Sequence, residues 1–247
     1  MTVKVLSAVA LFVLVTSAAV AQTSGTQSRV PPASSPTPWD PAAHIRDRCE
    51  EINQSINRLQ ADTRKRVVLL GDSITESVKQ RVLMGLPIIN EGISGEHAKD
   101  LALRPCAPGP HELVAKAKPT YVCVMLGIND IWGLKKDVTT VEAEYRTMAQ
   151  QLRKAVPDAK IIIQSVLPGG GTAAAVQPQI DDLNRRLPKI AAEIKGSYLL
   201  LDPVMKSHDG TLRPEYTIDG VHLTEAGTAA WMKRLEEFLV GLQQQQQ

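Results

Sequence analysis

Val67-Val68-Leu69-Leu70-Gly71-Asp72-Ser73-Ile74-Thr75 passes from four unbroken apolar residues through a glycine into a polar turn. Apolar residues without polar alternation predict a strand, Val67–Leu70, buried on both faces, and strands of that kind belong to parallel sheets covered by helices. Gly71 lets the chain bend sharply as it leaves the strand, and the helix that follows begins with backbone N–H groups that have no intrahelical acceptor.

The same grammar repeats along the chain. Ile88–Asn90, Tyr121–Leu126, Lys160–Val166 and Tyr198–Leu201 are further short apolar runs. Helical periodicity covers Ala42–Ala61, Glu76–Met84, Ala98–Leu103, Val141–Val156, Pro178–Ile194 and Glu225–Leu242. Thr139 with Glu142 offers a capping box for the fourth of these, and Pro157 ends it because proline lacks the next backbone donor. Strands alternating with helices predict an α/β fold, a three-layer α/β/α sandwich, in which ligands sit beyond the carboxyl ends of the strands.

That rule selects the residues to inspect. The first strand runs into Gly71-Asp72-Ser73, the second into Glu91-Gly92-Ile93-Ser94-Gly95, and the third into Gly127-Ile128-Asn129-Asp130; Asp219-Gly220-Val221-His222 precedes the last helix. Ser73 at a helix start serves, taken alone, as an N-cap. A hydroxyl becomes a nucleophile when a base can take its proton and an acid orients that base, and Asp219 with His222 three residues on supplies such a pair. Taken alone, Asp219 reads better as the cap of the last helix, with His222 a surface residue. His44 lies in the leading helix, His97 and His111 have no acid at helical spacing on the strand-end side, and His208 adjoins Asp209, which cannot face the same way. Gly95, through an unobstructed N–H, and Asn129, through its amide, complete the set as oxyanion donors. Independent turn chemistry would rarely place all five roles in order at strand ends.

Composition narrows the class. The chain has 247 residues, 28 Lys plus Arg against 26 Asp plus Glu, 43% hydrophobic residues and only nine Phe, Trp and Tyr. It can bury one core without metal staples, and it lacks the basic surface a nucleic-acid partner requires. No His, Asp, Glu and Cys cluster has metal-ligand spacing, so neither metal nor other cofactor is expected.

Met1–Ala21 has a basic start, an apolar stretch from Val5 to Val15 and Ala19-Val20-Ala21 before Gln22, the pattern of a cleaved signal peptide. It is too short for a comfortable membrane span, so a secreted or periplasmic protein without stable membrane insertion is expected. Residues 22–41, rich in Ser, Thr and Pro, read as a disordered leader, residues 42–242 as the folded domain, and 243–247 as a polyglutamine tail. Export permits disulfides. Cys123 falls in the buried run, leaving Cys49 and Cys106 free to pair or to remain three thiols with it.

Together these four blocks resemble the SGNH, or GDSL-type, hydrolase superfamily over roughly residues 66–238. The resemblance implies a flavodoxin-like sandwich with a central five-stranded parallel sheet. It implies Ser73 as nucleophile, His222 as base, Asp219 as its orienting acid, and the Ser73 N–H, Gly95 and Asn129 as oxyanion donors. The first two blocks are most similar to the platelet-activating-factor acetylhydrolase-like and sugar-ester esterase branch, although Glu96-His97 stands where that branch has Asp-Thr. The α/β-hydrolase elbow Gly-x-Ser-x-Gly is absent.

The expected activity is hydrolysis of short acyl esters, acetyl above all, of a carbohydrate or other small molecule, with Asp72 and Trp132 contacting substrate. A lysophospholipase or thioesterase acting on longer chains, and a non-catalytic carbohydrate-binding protein on the same fold, are the alternatives.

Overall fold

The structure, a computed structural model, describes residues 39–101, 106 and 111–245. The signal-peptide pattern at 1–21, residues 22–38 of the leader, residues 102–103 of the third helix candidate and the last two glutamines lie outside the described residues.

Five strands run parallel in the spatial order β3 (Leu86–Gly92), β1 (Val67–Gly71), β4 (Tyr121–Met125), β5 (Lys160–Gln164), β6 (Ser197–Leu199). A sixth, β2 (Val82–Leu83), adds an antiparallel edge beside β3, so the sheet has six strands where five were expected. All five residues of β1 are buried, and each fully buried Val or Leu there is worth roughly 1.5–3 kcal/mol relative to exposure. In register, Gly71 lies between Gly92 of β3 and Met125 of β4. Three strands therefore finish level, and the polar blocks after them emerge at one edge of the sheet.

Helices cover both sides: α1 (Pro41–Arg58), α2 (Ser73–Glu76), α3 (Ala98–Leu101), α4 (Glu112–Ala117), α5 (Val138–Ala155), α6 (Gln177–Glu193), α7 (Asp202–Met205) and α8 (Glu225–Gln244). The helix expected over Glu76–Met84 does not form. The Asn90 side-chain amide, reaching from β3, donates to the carbonyls of Thr75 (2.8 Å), Glu76 (3.3 Å) and Val78 (3.0 Å), occupying the acceptors a longer helix would need. The chain then straightens into β2. The cap of α5 is also not Thr139: Asp137 accepts from the Thr140 N–H at 2.9 Å and starts the helix at Val138. At the other end, α8 continues into the first two residues of the polyglutamine run.

Trp231 of α8, fully buried, donates its indole N–H to Gln164 Oε1 of β5 at 2.8 Å, which satisfies both polar groups in the core. A disulfide joins Cys49 of α1 to Cys106, with Cα atoms 5.0 Å apart, and Cys123 is a buried thiol in β4.

Candidate active site

Gly71 ends β1 where no other residue fits. A Cβ there would lie 2.1 Å from Thr75 Oγ1 and 2.6 Å from the Met125 carbonyl oxygen. Asp72 follows as the N-cap of α2, accepting from the Ile74 N–H at 3.0 Å. Because Asp72 does the capping, Ser73 is spared that duty and its Oγ lies 2.9 Å from His222 Nε2.

Across the ring, His222 Nδ1 is 2.7 Å from Asp219 Oδ2. A proton on Nδ1 donates to that carboxylate and leaves Nε2 to accept from Ser73. The second carboxylate oxygen, Oδ1, accepts the backbone N–H groups of Val221 (2.9 Å) and His222 (2.8 Å), so one side chain both shapes the turn and aims the imidazole. Partial burial pushes the Asp219 carboxyl upward, but the His222 ring and the two backbone donors outweigh it and hold the group at about 2. The last helix has a different cap, Thr224, which accepts from the Gly227 N–H at 3.1 Å.

The turn carrying Asp219 and His222 rests on a support that sequence reading did not identify. Gly170, in the loop after β5, donates its N–H to the Gly220 carbonyl at 2.7 Å. Gly220 has φ +94°, and a Cβ on it would stand 2.3 Å from the Gly170 carbonyl oxygen. The available signal was Gly169-Gly170-Gly171, three glycines just beyond a strand end.

Gly95 sits in a tight turn with φ +80°, closed by the Glu96 N–H donating to the Ile93 carbonyl at 3.2 Å. A Cβ at Gly95 would meet nothing within 4 Å, so the glycine serves the left-handed backbone and faces open space. Asn129 opens the helical turn Asn129–Gly133 and donates one amide hydrogen to the Glu96 carbonyl at 3.1 Å. That bond ties the two proposed oxyanion loops together and leaves the second amide hydrogen for a ligand. Beneath them, buried Asp130 accepts from the Ala98 N–H (3.1 Å) and from Lys136 Nζ (2.9 Å).

One expectation changes. Asp72 is 1% exposed, so its carboxyl caps α2 and has no surface to offer a substrate; burial, with the Glu96 carboxylate adding to it, raises the group to about 7. His97 Nδ1 lies 2.6 Å from Asp100 Oδ2, while the hydroxyl of Ser73 is bound to His222. Trp132 is 37% exposed in the same short turn as Asn129. Behind Asp72, a void of about 10 Å³ lined by Ile74, Ile128, Val166, Gly220 and Val221 has room for one water. Among the described residues, no three His, Cys, Asp or Glu side chains are grouped as metal ligands.

Comparison with known proteins agrees with the fold. The family model of the GDSL-like lipase/acylhydrolase family matches residues 69–230. An acetylxylan esterase from Geobacillus stearothermophilus is 26% identical over 156 residues, covering 58% of this chain and 68% of the relative. Among solved structures, a GDSL-like lipase from Bacteroides thetaiotaomicron superposes with a TM-score of 0.62 at 25% identity, over 78% of this chain and 98% of the other. A catalytic mutant of an acetylxylan esterase from Geobacillus stearothermophilus gives a TM-score of 0.54 at 20% identity, over 69% and 92%.

Proposed function

The chain belongs to the GDSL-like lipase/acylhydrolase family and is a carboxylic ester hydrolase, and from that premise we propose that it is an exported serine esterase releasing short acyl groups, chiefly acetyl, from carbohydrate esters. The observation carrying this reading is the unbroken chain from Ser73 Oγ to His222 Nε2 (2.9 Å) and from His222 Nδ1 to Asp219 (2.7 Å).

In this reading Ser73 Oγ attacks the ester carbonyl carbon while His222 Nε2 takes its proton. The carbonyl oxygen becomes an oxyanion facing the Ser73 and Gly95 N–H groups and the free amide hydrogen of Asn129. Collapse of the tetrahedral intermediate breaks the ester C–O bond, and His222 returns the proton to the departing alcohol. Water then attacks the acyl-enzyme with His222 again as base, releasing the carboxylic acid and restoring Ser73. Asp219, ionised across the working range, stabilises the imidazolium formed in each half.

A short acyl group is supported by likeness to a relative named for acetyl esters. Similarity to an acetylxylan esterase supports a sugar ester, and Trp132 offers an exposed indole face on which a sugar ring can stack. Export is supported by the Met1–Ala21 pattern and by the Cys49–Cys106 disulfide, a bond of oxidising compartments.

The test combines p-nitrophenyl esters of increasing chain length with acetylated polysaccharides. Acetate release and a preference for the shortest ester, both lost in Ser73→Ala, are expected; turnover by that variant, or a preference for long chains, removes the reading. A mature N-terminus other than Gln22 would remove the processing site.

A further inference from the structure

Nothing in the triad or the oxyanion donors explains why α2, only four residues long, keeps a carboxylate at its end. Glu76 lies one helical turn after Ser73. Its Oε2 accepts from the Ser94 N–H at 2.6 Å and from the Ser94 hydroxyl at 2.8 Å. The same oxygen lies 3.1 Å from His44 Nε2 of α1, while Oε1 is 3.7 Å from Arg48 Nε. Arg48 in turn donates to the Gly92 carbonyl through Nε at 3.2 Å and Nη2 at 2.9 Å.

Ser94 is the residue before Gly95. One carboxylate therefore spans from the helix that begins with the nucleophile to the loop that presents an oxyanion donor, and α1 braces it from outside. Charge-assisted bonds of this length are the strong ones, and three of them on one oxygen define its place. Ile93 and Glu96 on either side are anchored by backbone bonds and by Asn129, whereas Gly95, at φ +80° with open space where a side chain would stand, brings no packing of its own, so Ser94 is where a side chain can grip the turn.

We propose that Glu76 is a positioning residue that fixes the Gly95 oxyanion donor relative to the Ser73 nucleophile by holding Ser94 through both its N–H and its hydroxyl. This rests on the assignment of Ser73 and Gly95 made above. Because a displacement of about 1 Å in a reacting arrangement can cost on the order of a hundredfold in rate, the effect should fall on kcat and leave substrate affinity alone.

Reach and acceptor count, not charge alone, then matter, and three variants separate them. Glu76→Ala removes every bond to Ser94. Glu76→Asp keeps the charge and loses the reach. Glu76→Gln keeps an oxygen at the right distance that can accept all three bonds. With p-nitrophenyl acetate as substrate, Ala and Asp should lower kcat about ten- to hundredfold with KM within about twofold. The rate of Ser73 labelling by an alkyl fluorophosphonate should drop in parallel, and Gln should recover kcat to within about threefold. Ser94→Ala, which deletes the hydroxyl bond only, should lose less than Glu76→Ala and provides a reading even if the latter folds poorly. Wild-type kcat in Glu76→Ala or Glu76→Asp, or Glu76→Gln no better than Glu76→Ala, overturns the proposal. If Ser73→Ala is inactive while Glu76→Ala runs at full speed, only this inference falls; if Ser73→Ala keeps its turnover, the assignment beneath it falls as well.

Discussion

Asn129 uses one amide hydrogen on the Glu96 carbonyl, and in the proposed mechanism the other meets the oxyanion, so its truncation removes a donor and loosens a loop at once. Asn129→Ala should cost about a hundredfold or more in kcat with little change in KM, measured by steady-state kinetics on a short ester; an effect on KM alone would make Asn129 a substrate contact. Asp219 is a second single-residue test. Its folded carboxyl is held at about 2, below the unfolded value of about 3.9. The stability it contributes is therefore present above about pH 4 and is lost as pH falls through about 2. The side chain is half-exposed, so the gain is small. Acid titration of unfolding should show a shallower loss between pH 4 and 2 in Asp219→Asn than in wild type, and the same variant should lose most of its kcat because the imidazole loses its orienting acceptor. Asp72 runs the opposite way. Raised to about 7 by burial, it stays protonated in the folded protein after the unfolded chain has ionised, so its linkage makes stability fall as pH climbs from about 4 to about 7. Denaturant midpoints of wild type minus those of Asp72→Asn should decline across that window; a difference independent of pH would mean the carboxyl is not raised.

At the level of elements, the meeting of the loop after β5 with the Asp219–His222 turn is backbone against backbone. Gly220→Ala must both adopt φ +94° and push a methyl to 2.3 Å from the Gly170 carbonyl oxygen, so activity should fall about as far as in a triad mutant while β1 and the sheet persist, checked by circular dichroism beside kinetics. Elements differed in how plainly they could be read. β1 and β4 were legible because burial on both faces leaves an unbroken apolar run. β2 was not, since two residues carry no period, and Val82-Leu83 sits where the spacing also suits a helix. What stops α2 at Glu76 is the amide of Asn90, a contact 14 residues away that no local propensity encodes. Ser73, Gly95 and Asn129 could be singled out because each lies in a block just after a strand, and Asp219 with His222 because an acid and an imidazole three residues apart precede the last helix. Glu76, Asn90 and the Gly169–Gly171 support were hidden because their duties arise only from what folding brings beside them, and Asp72 was misjudged because a motif does not reveal which side of the turn its carboxyl faces.

For the molecule as a whole, the Cys49–Cys106 bridge is the one covalent constraint among the described residues, spanning 57 residues. Restricting the unfolded chain over such a loop is worth about 2–5 kcal/mol. Reduction, or Cys49→Ser with Cys106→Ser, should lower the unfolding free energy by about that amount in denaturant titrations; no change would show that the bridge does not restrain the unfolded ensemble. The hydrogen bond between Ser73 and His222 closes a far larger circle, 149 residues apart in sequence, and β3 to α7 all lie between its ends. The ribosome makes the hydroxyl early and the imidazole late, so under the proposed mechanism a nascent chain stays chemically silent through most of its synthesis. Hydrolysis by that mechanism switches on only when the final turn docks, which makes the appearance of activity a clock for the completion of folding.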